Sequence, residues 1–124
     1  EYALIALRHL RFVGADCIVS AKEIASQYSI PQPLLAKVLQ ELSRRDFIAP
    51  VQGPRGGYKL KAKLDTISMT EFFEMMEGPL GIMDCYFDSN CELVNTCNIR
   101  SPIQRLNESM RDMFDNMTVN DVTY

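Results

Sequence analysis

The sequence predicts a mainly α-helical chain with one small β-hairpin, closed by a long C-terminal helix. Three observations carry that prediction. Apolar residues recur at spacings of three and four in successive stretches, the period of helices that bury one face. The run Gln52-Gly-Pro-Arg-Gly-Gly-Tyr58 separates two short segments suited to strands, as a hairpin tip would. Charge is segregated: residues 1–63 hold ten Lys and Arg against five acids, a net +5, and residues 64–124 hold three against eleven, a net −8. The overall −3 therefore conceals a basic half that could face phosphates and an acidic half that must face elsewhere.

The stretch from Tyr2 to Val13 places Tyr2, Ile5, Ala6, His9 and Val13 on one helical stripe, widened by Leu4, Leu7 and Leu10, with Gly14 as its stop. The helix is already in register at Glu1, with neither a cap nor an initiator Met, so the natural N-terminus is expected upstream. His9, the single histidine, sits on the apolar stripe and is expected to be a satisfied core side chain. Cys17, beside Ile18 and Val19, is expected to be buried as a small hydrophobe. Ser20-Ala-Lys-Glu23 forms a capping box for a second helix to about Tyr28, with Ile24 and Ala25 toward the core. Ser29-Ile-Pro-Gln-Pro33 breaks that helix and restarts a third over about Pro33 to Arg45, because proline tolerates the first turn and not the interior. Leu34, Leu35, Val38, Leu39 and Leu42 make the apolar side, while Gln32, Ala36, Lys37, Gln40, Arg44 and Arg45 lie on or near the other.

Phe47-Ile-Ala-Pro-Val51 and the strand ending at Leu60 then close a hairpin whose Gly-rich tip carries Arg55. Two short helices joined by a tight turn, followed by such a hairpin, make a winged helix-turn-helix. The second helix suits a major groove, and the tip arginine suits the narrow minor groove. A phosphate-cradling nucleotide loop is the rival for a Gly-rich tip, but the required G-x-x-x-x-G-K-[ST] is absent.

In the acidic half, Thr70 to Glu77 reads as a short helix stopped by Gly78-Pro79, with Phe72, Phe73 and Met76 expected against the winged core. Ser101-Pro-Ile-Gln104 reads as another capping box, opening a helix to roughly Met117. Ile103, Leu106, Met110, Met113, Phe114 and Met117 form a stripe with no core of its own left to cover, so a homodimer is expected, packing back on the first helix being the alternative. Between these helices Cys85, Cys91 and Cys97 are evenly spaced, C-x5-C-x5-C. Three thiolates are one short of the four soft ligands that an iron–sulfur cluster or a closed zinc site takes.

The chain has room for one compact unit: residues 1–63 as a winged helix-turn-helix DNA-binding part, and residues 64–124 as the cysteine sensor loop and dimerisation helix. No run of about 18 apolar residues and no charged-then-apolar leader is present, which points to a cytoplasmic protein without membrane association. In a reducing cytosol four cysteines are more often metal ligands or buried side chains than disulfides. A cysteine-based enzyme would need a low-pKa thiolate beside a general base, and one histidine on an apolar stripe does not supply it, so no enzyme and no small-molecule substrate are expected.

With Glu1-Tyr-Ala-Leu-Ile-Ala-Leu7, Gly53-Pro-Arg-Gly-Gly-Tyr-Lys-Leu60 and the cysteine triplet in hand, the chain resembles the Rrf-type regulators, IscR-like and NsrR-like members among them, over essentially all of its length. The resemblance implies a dimeric bacterial transcription regulator of promoter DNA, with an iron–sulfur cluster on Cys85, Cys91 and Cys97 that senses iron–sulfur status, nitric oxide or redox stress. IscR-like members place a histidine three residues after the last cysteine, where this chain has Arg100, which cannot coordinate a metal while protonated. NsrR-like members use a carboxylate near the start of the first helix, and the matching residue is Glu1. A [4Fe-4S] cluster on the three cysteines and Glu1 is therefore the first choice and a [2Fe-2S] cluster the second. Zinc or redox-active thiols without a cluster are the alternative. For DNA, the resemblance points to Pro33 and Ala36 on the third helix and to Gln52 and Arg55 on the wing. Helix geometry adds Gln32 and Lys37, and Lys59 is expected to meet phosphate.

Overall fold

The computed structural model describes residues 1–78, 80, 81 and 96–123. They form two units, Glu1–Leu64 with Asn120–Tyr124, and Asp65–Val119.

The first unit is a winged helix-turn-helix. It runs α1 (Tyr2–Val13), α2 (Ala21–Tyr28), α3 (Gln32–Arg44), β1 (Ile48–Val51) and β2 (Gly57–Leu60), and the strands pair antiparallel with Ile48 opposite Leu60 and Val51 opposite Gly57. The Ser20 hydroxyl accepts from the Glu23 amide at 3.1 Å, the expected cap of α2. Ser29, in the left-handed region at φ 54°, ends α2, and Pro33 sits in the first turn of α3, where its missing N–H costs nothing. Leu7 and Leu10, Ile24, the α3 residues Leu35, Leu39 and Leu42, and Phe47 and Ile48 are fully buried and make the core. Each contributes roughly 1.5–3 kcal/mol relative to an exposed side chain.

Three expectations for this unit need correction. The buried axis of α1 runs through Ala3, Ala6, Leu7 and Leu10, while Tyr2, Ile5 and Val13 are only half-buried, because both α3 and β2 lie against this helix and rotate its covered face. Cys17 is exposed, not buried. Gly14 ends the helix, and Cys17 falls in a turn whose amide donates to the Gly14 carbonyl at 3.1 Å. Leu34, assigned to the apolar side of α3, is 48% exposed. His9 does behave as a core histidine: it is buried, and its Nδ1 shares a 2.7 Å hydrogen bond with the Tyr28 hydroxyl at the end of α2.

The wing is fastened by a contact that the sequence did not reveal. Val19, just before the α2 cap, bridges to Tyr58 in β2, each amide donating to the other's carbonyl, at 2.9 and 2.8 Å. This brings Val19 against Gly57 so closely that a Cβ there would lie 2.7 Å from the Val19 carbonyl carbon and 2.9 Å from the Ser20 nitrogen. Only glycine permits the approach.

In the second unit, α4 (Met69–Glu77) is capped by Ser68, whose hydroxyl accepts from the Glu71 amide at 3.1 Å. The helix thus starts one residue before the expected Thr70, on a Ser68-Met-Thr-Glu71 capping box that was there to be read. The helix α5 spans Arg100–Asp115. Its N-cap is Ile99 with no side-chain bond, so Ser101 lies inside the first turn and does not cap it. It stops short of Met117 because Met117 and Thr118 pair with the strand-like approach to α4: the Met69 amide donates to the Met117 carbonyl at 2.7 Å, and the Val119 amide to the Ile67 carbonyl at 2.9 Å. Phe73, expected against the winged core, stacks on Phe114 of α5, ring centres 5.4 Å apart, because α5 supplies the aromatic partner. Arg111 of α5 donates to the Glu74 carboxylate at 2.8 Å and to the Leu80 carbonyl at 3.1 Å, fixing the chain where it leaves α4. A short α6 (Val119–Val122) ends the described chain, and Arg11 in α1 donates to the Asn120 carbonyl at 3.0 Å.

Candidate nucleic-acid interface and cysteine site

The free side of α3 is a ridge. Gln32, Pro33, Lys37, Gln40 and Arg44 are exposed, and Ala36 is half-buried beside them. Lys37, Gln40, Glu41 and Arg44 line a shallow surface depression on this side. The Glu41 carboxylate sits between two cations, receiving Arg45 Nε at 3.0 Å and a guanidinium nitrogen of Arg44. The Arg45 hydrogen bond first, then Arg44, holds its carboxyl below the ordinary carboxylate range, although both partners are solvated and the pairs are weak.

The wing tip is a tight, glycine-dependent turn. The Gly56 amide donates to the Gly53 carbonyl at 2.9 Å, Gly53 adopts φ 113°, and a Cβ on Gly56 would collide with the Val51 carbonyl oxygen. Between them stands Arg55, exposed, with Gln52 exposed at the start of the turn and Lys59 exposed on the outer face of β2. The tip therefore presents a cation on a backbone with little freedom to retreat. All seven residues expected to meet DNA lie in this first unit: Gln32, Pro33 and Lys37 exposed and Ala36 half-buried on α3, Gln52, Arg55 and Lys59 exposed on the hairpin.

The cysteine site is described only at its edges. Cys85 and Cys91 lie outside the described residues; Cys97 is half-buried with a free thiol, three residues before the start of α5. Among the described residues no three His, Cys, Asp or Glu side chains assemble as a metal site. Glu1 is the exposed N-cap of α1, and its side chain makes no capping bond to its own helix. Three thiolates and one such carboxylate are a donor set that fits a four-iron cluster, with the hard oxygen as its most weakly held corner. Arg100 occupies the first turn of α5 as an exposed cation and offers no donor lone pair. Among the described residues no helix is long and apolar enough to cross a membrane.

Comparison with known proteins agrees with this geometry. The family model of Rrf2, described as iron-dependent transcriptional regulators, matches residues 1–124. An HTH-type transcriptional regulator of Aquifex aeolicus is 34% identical over 131 residues, covering 98% of this chain and 86% of its own length. The HTH-type transcriptional regulator NsrR of Bacillus licheniformis is 25% identical over 124 residues, covering 98% of this chain and 87% of its own. Among solved structures, CymR of B. subtilis, described as a global cysteine regulator, superposes with a TM-score of 0.75 at 20% identity, over 98% of this chain and 90% of that one.

Proposed function

The chain belongs to the Rrf2 family of transcriptional regulators, and from that premise we propose that it reads promoter DNA as a homodimer and senses through a cluster held by Cys85, Cys91, Cys97 and Glu1. The observation that carries the DNA-reading part is the exposed polar ridge of α3 beside a glycine-locked tip bearing Arg55. In this reading residues 1–63 address DNA and residues 64–124 sense and assemble. Gln32, Pro33, Ala36 and Lys37 face base edges from the first turns of α3, Arg55 and Gln52 enter the minor groove, and Lys59 meets phosphate.

Dimerisation is supported by the seam on α5. From the N-cap Ile99 through Ile103, Leu106, Met110 and Met113, apolar residues alternate at spacings of four and three, the repeat of a helix that packs along a partner. Ile99, Leu106 and Met113 remain 51%, 56% and 54% exposed, an apolar edge that a second copy would cover.

A cluster held at the triplet would supply a centre reactive toward oxidants and nitric oxide, with [4Fe-4S] the favoured type. The chain's own residues do the rest. The thiolates bind, and Glu1 offers a labile oxygen ligand from the end of a helix that lies against α3, so a change at Glu1 reaches the reading helix through packed side chains. A second reading, sensing through zinc or bare redox-active thiols, is favoured by the exposed Cys17 thiol and by the likeness to CymR.

Iron and acid-labile sulfide analysis of anaerobically purified protein decides between them. A brown, iron- and sulfide-containing protein that bleaches in the Cys91→Ala variant supports the cluster; a colourless protein without iron moves the function to zinc or thiols. For DNA, Arg55→Ala should weaken promoter binding about tenfold, whereas Lys59→Ala should lower the salt slope by about one phosphate contact. Unchanged binding would refute the wing assignment.

A further inference from the structure

Leu34 is the one large apolar side chain of α3 left 48% exposed. The core takes Leu35, Leu39 and Leu42 from the same helix completely, so Leu34 is not a core residue at the margin of a loose pack. It stands in the first turn, next to Pro33 and one turn before the exposed Lys37 and the half-buried Val38. Leaving a leucine in water forfeits the free energy its burial would bring, and a hydrophilic residue at this position would serve the fold as well.

We infer that Leu34 is a base-reading residue that recognises the 5-methyl group of thymine in the major groove, an inference that rests on the DNA-reading function proposed above. Residues in the first turn of a reading helix are those that meet base edges. In the major groove the thymine methyl is the apolar mark among hydrogen-bonding groups, and an aliphatic side chain is its complement. Pro33 beside it brings neither a polar side-chain atom nor an amide N–H, so this edge of the first turn reads by shape and apolar contact. Lys37, one turn on, brings the nearby charge to the same groove.

The test begins with a DNA site selected by the wild-type protein from random duplexes. Each thymine of that site is replaced in turn by uracil, which removes the methyl group and leaves the hydrogen-bonding edge intact. The wild type should lose about fourfold in affinity at one position per half-site, the fold-change expected for one buried methyl. Leu34→Ala should bind with no penalty at that position and should select thymine and cytosine there alike. Leu34→Met, which keeps an apolar reach, should retain the penalty. Because the side chain is exposed, Leu34→Ala should melt with the wild type, and its circular dichroism confirms that the fold is kept. A uracil penalty at every position unchanged by Leu34→Ala overturns the inference and leaves DNA reading intact. A wild type that enriches no sequence overturns both.

Discussion

Replacing Gly57 with alanine should unseat the wing. A Cβ at that position would stand 2.7 Å from the Val19 carbonyl carbon and 2.9 Å from the Ser20 nitrogen, and closer still to the Val19 oxygen, all of them backbone atoms that no side-chain rotation can clear. The tightest of these contacts, 2.4 Å to the Val19 oxygen, requires β2 to retreat by about 1 Å before ordinary contact is restored, as close packing of interiors demands. The two Val19–Tyr58 hydrogen bonds, at 2.9 and 2.8 Å, would then exceed bonding distance. Each is worth about 1 kcal/mol net, and residual strain adds about 1 more, for a total near 3 kcal/mol. For a domain of this size that corresponds to about 10–15 °C in Tm. Thermal unfolding followed by circular dichroism measures it, with hydrogen exchange at the Tyr58 amide as the local readout. Gly53→Ala is the control: nothing lies within 4 Å of its Cβ, so it should pay only for its positive φ, about 1 kcal/mol. A Gly57→Ala protein that melts within 2 °C of wild type, with the Tyr58 amide still protected, would falsify the reasoning.

Two further perturbations probe the second unit and the reading helix. Arg111→Ala removes the bonds to Glu74 and Leu80 and should destabilise the α4–α5 pair by about 1–2 kcal/mol, read as faster exchange of the α4 amides while those of α3 keep their protection; equal exchange in both proteins would refute it. Glu41, held below the ordinary carboxylate range by Arg45 and Arg44, contributes stability that is present above its unfolded pKa and is lost as pH falls through its folded one. The stability difference between wild type and Glu41→Gln, measured by urea unfolding, should therefore shrink on acidification below about pH 4, and a difference that grows there would reverse the assignment.

Much of the architecture was legible because local signals sufficed. The Ser20 capping box, the two prolines at the start of α3 and the glycine-rich tip each act within a few residues, and each appears where the sequence put it. What escaped depends on partners far along the chain. The covered face of α1 was set by α3 and β2, and the end of α5 by pairing of Met117 and Thr118 with residues 67–69, neither of which periodicity encodes. Leu34 was misassigned because a run of Leu34 and Leu35 fits an apolar stripe either way, and only the packing shows which leucine the core accepts. Gly57 was visible as part of the glycine-rich tip, but that the backbone it meets is Val19's is set by a residue far along the chain. For the site, the residue types were readable and their local geometry was not: that the Glu1 side chain makes no capping bond to α1 is something no spacing reports.

Residues 120–124 belong with Glu1–Leu64, so the chain leaves the first unit after a buried Leu64 and comes home at Asn120, held by Arg11, with Thr123 buried behind it. The second unit is thus an insertion, joined to the first at both of its ends, and not a tail. Each of its ends is a covalent joint to the reading unit, so any cut within Asp65–Val119 would divide that unit between two fragments, Glu1–Leu64 in one and the residues from Asn120 in the other.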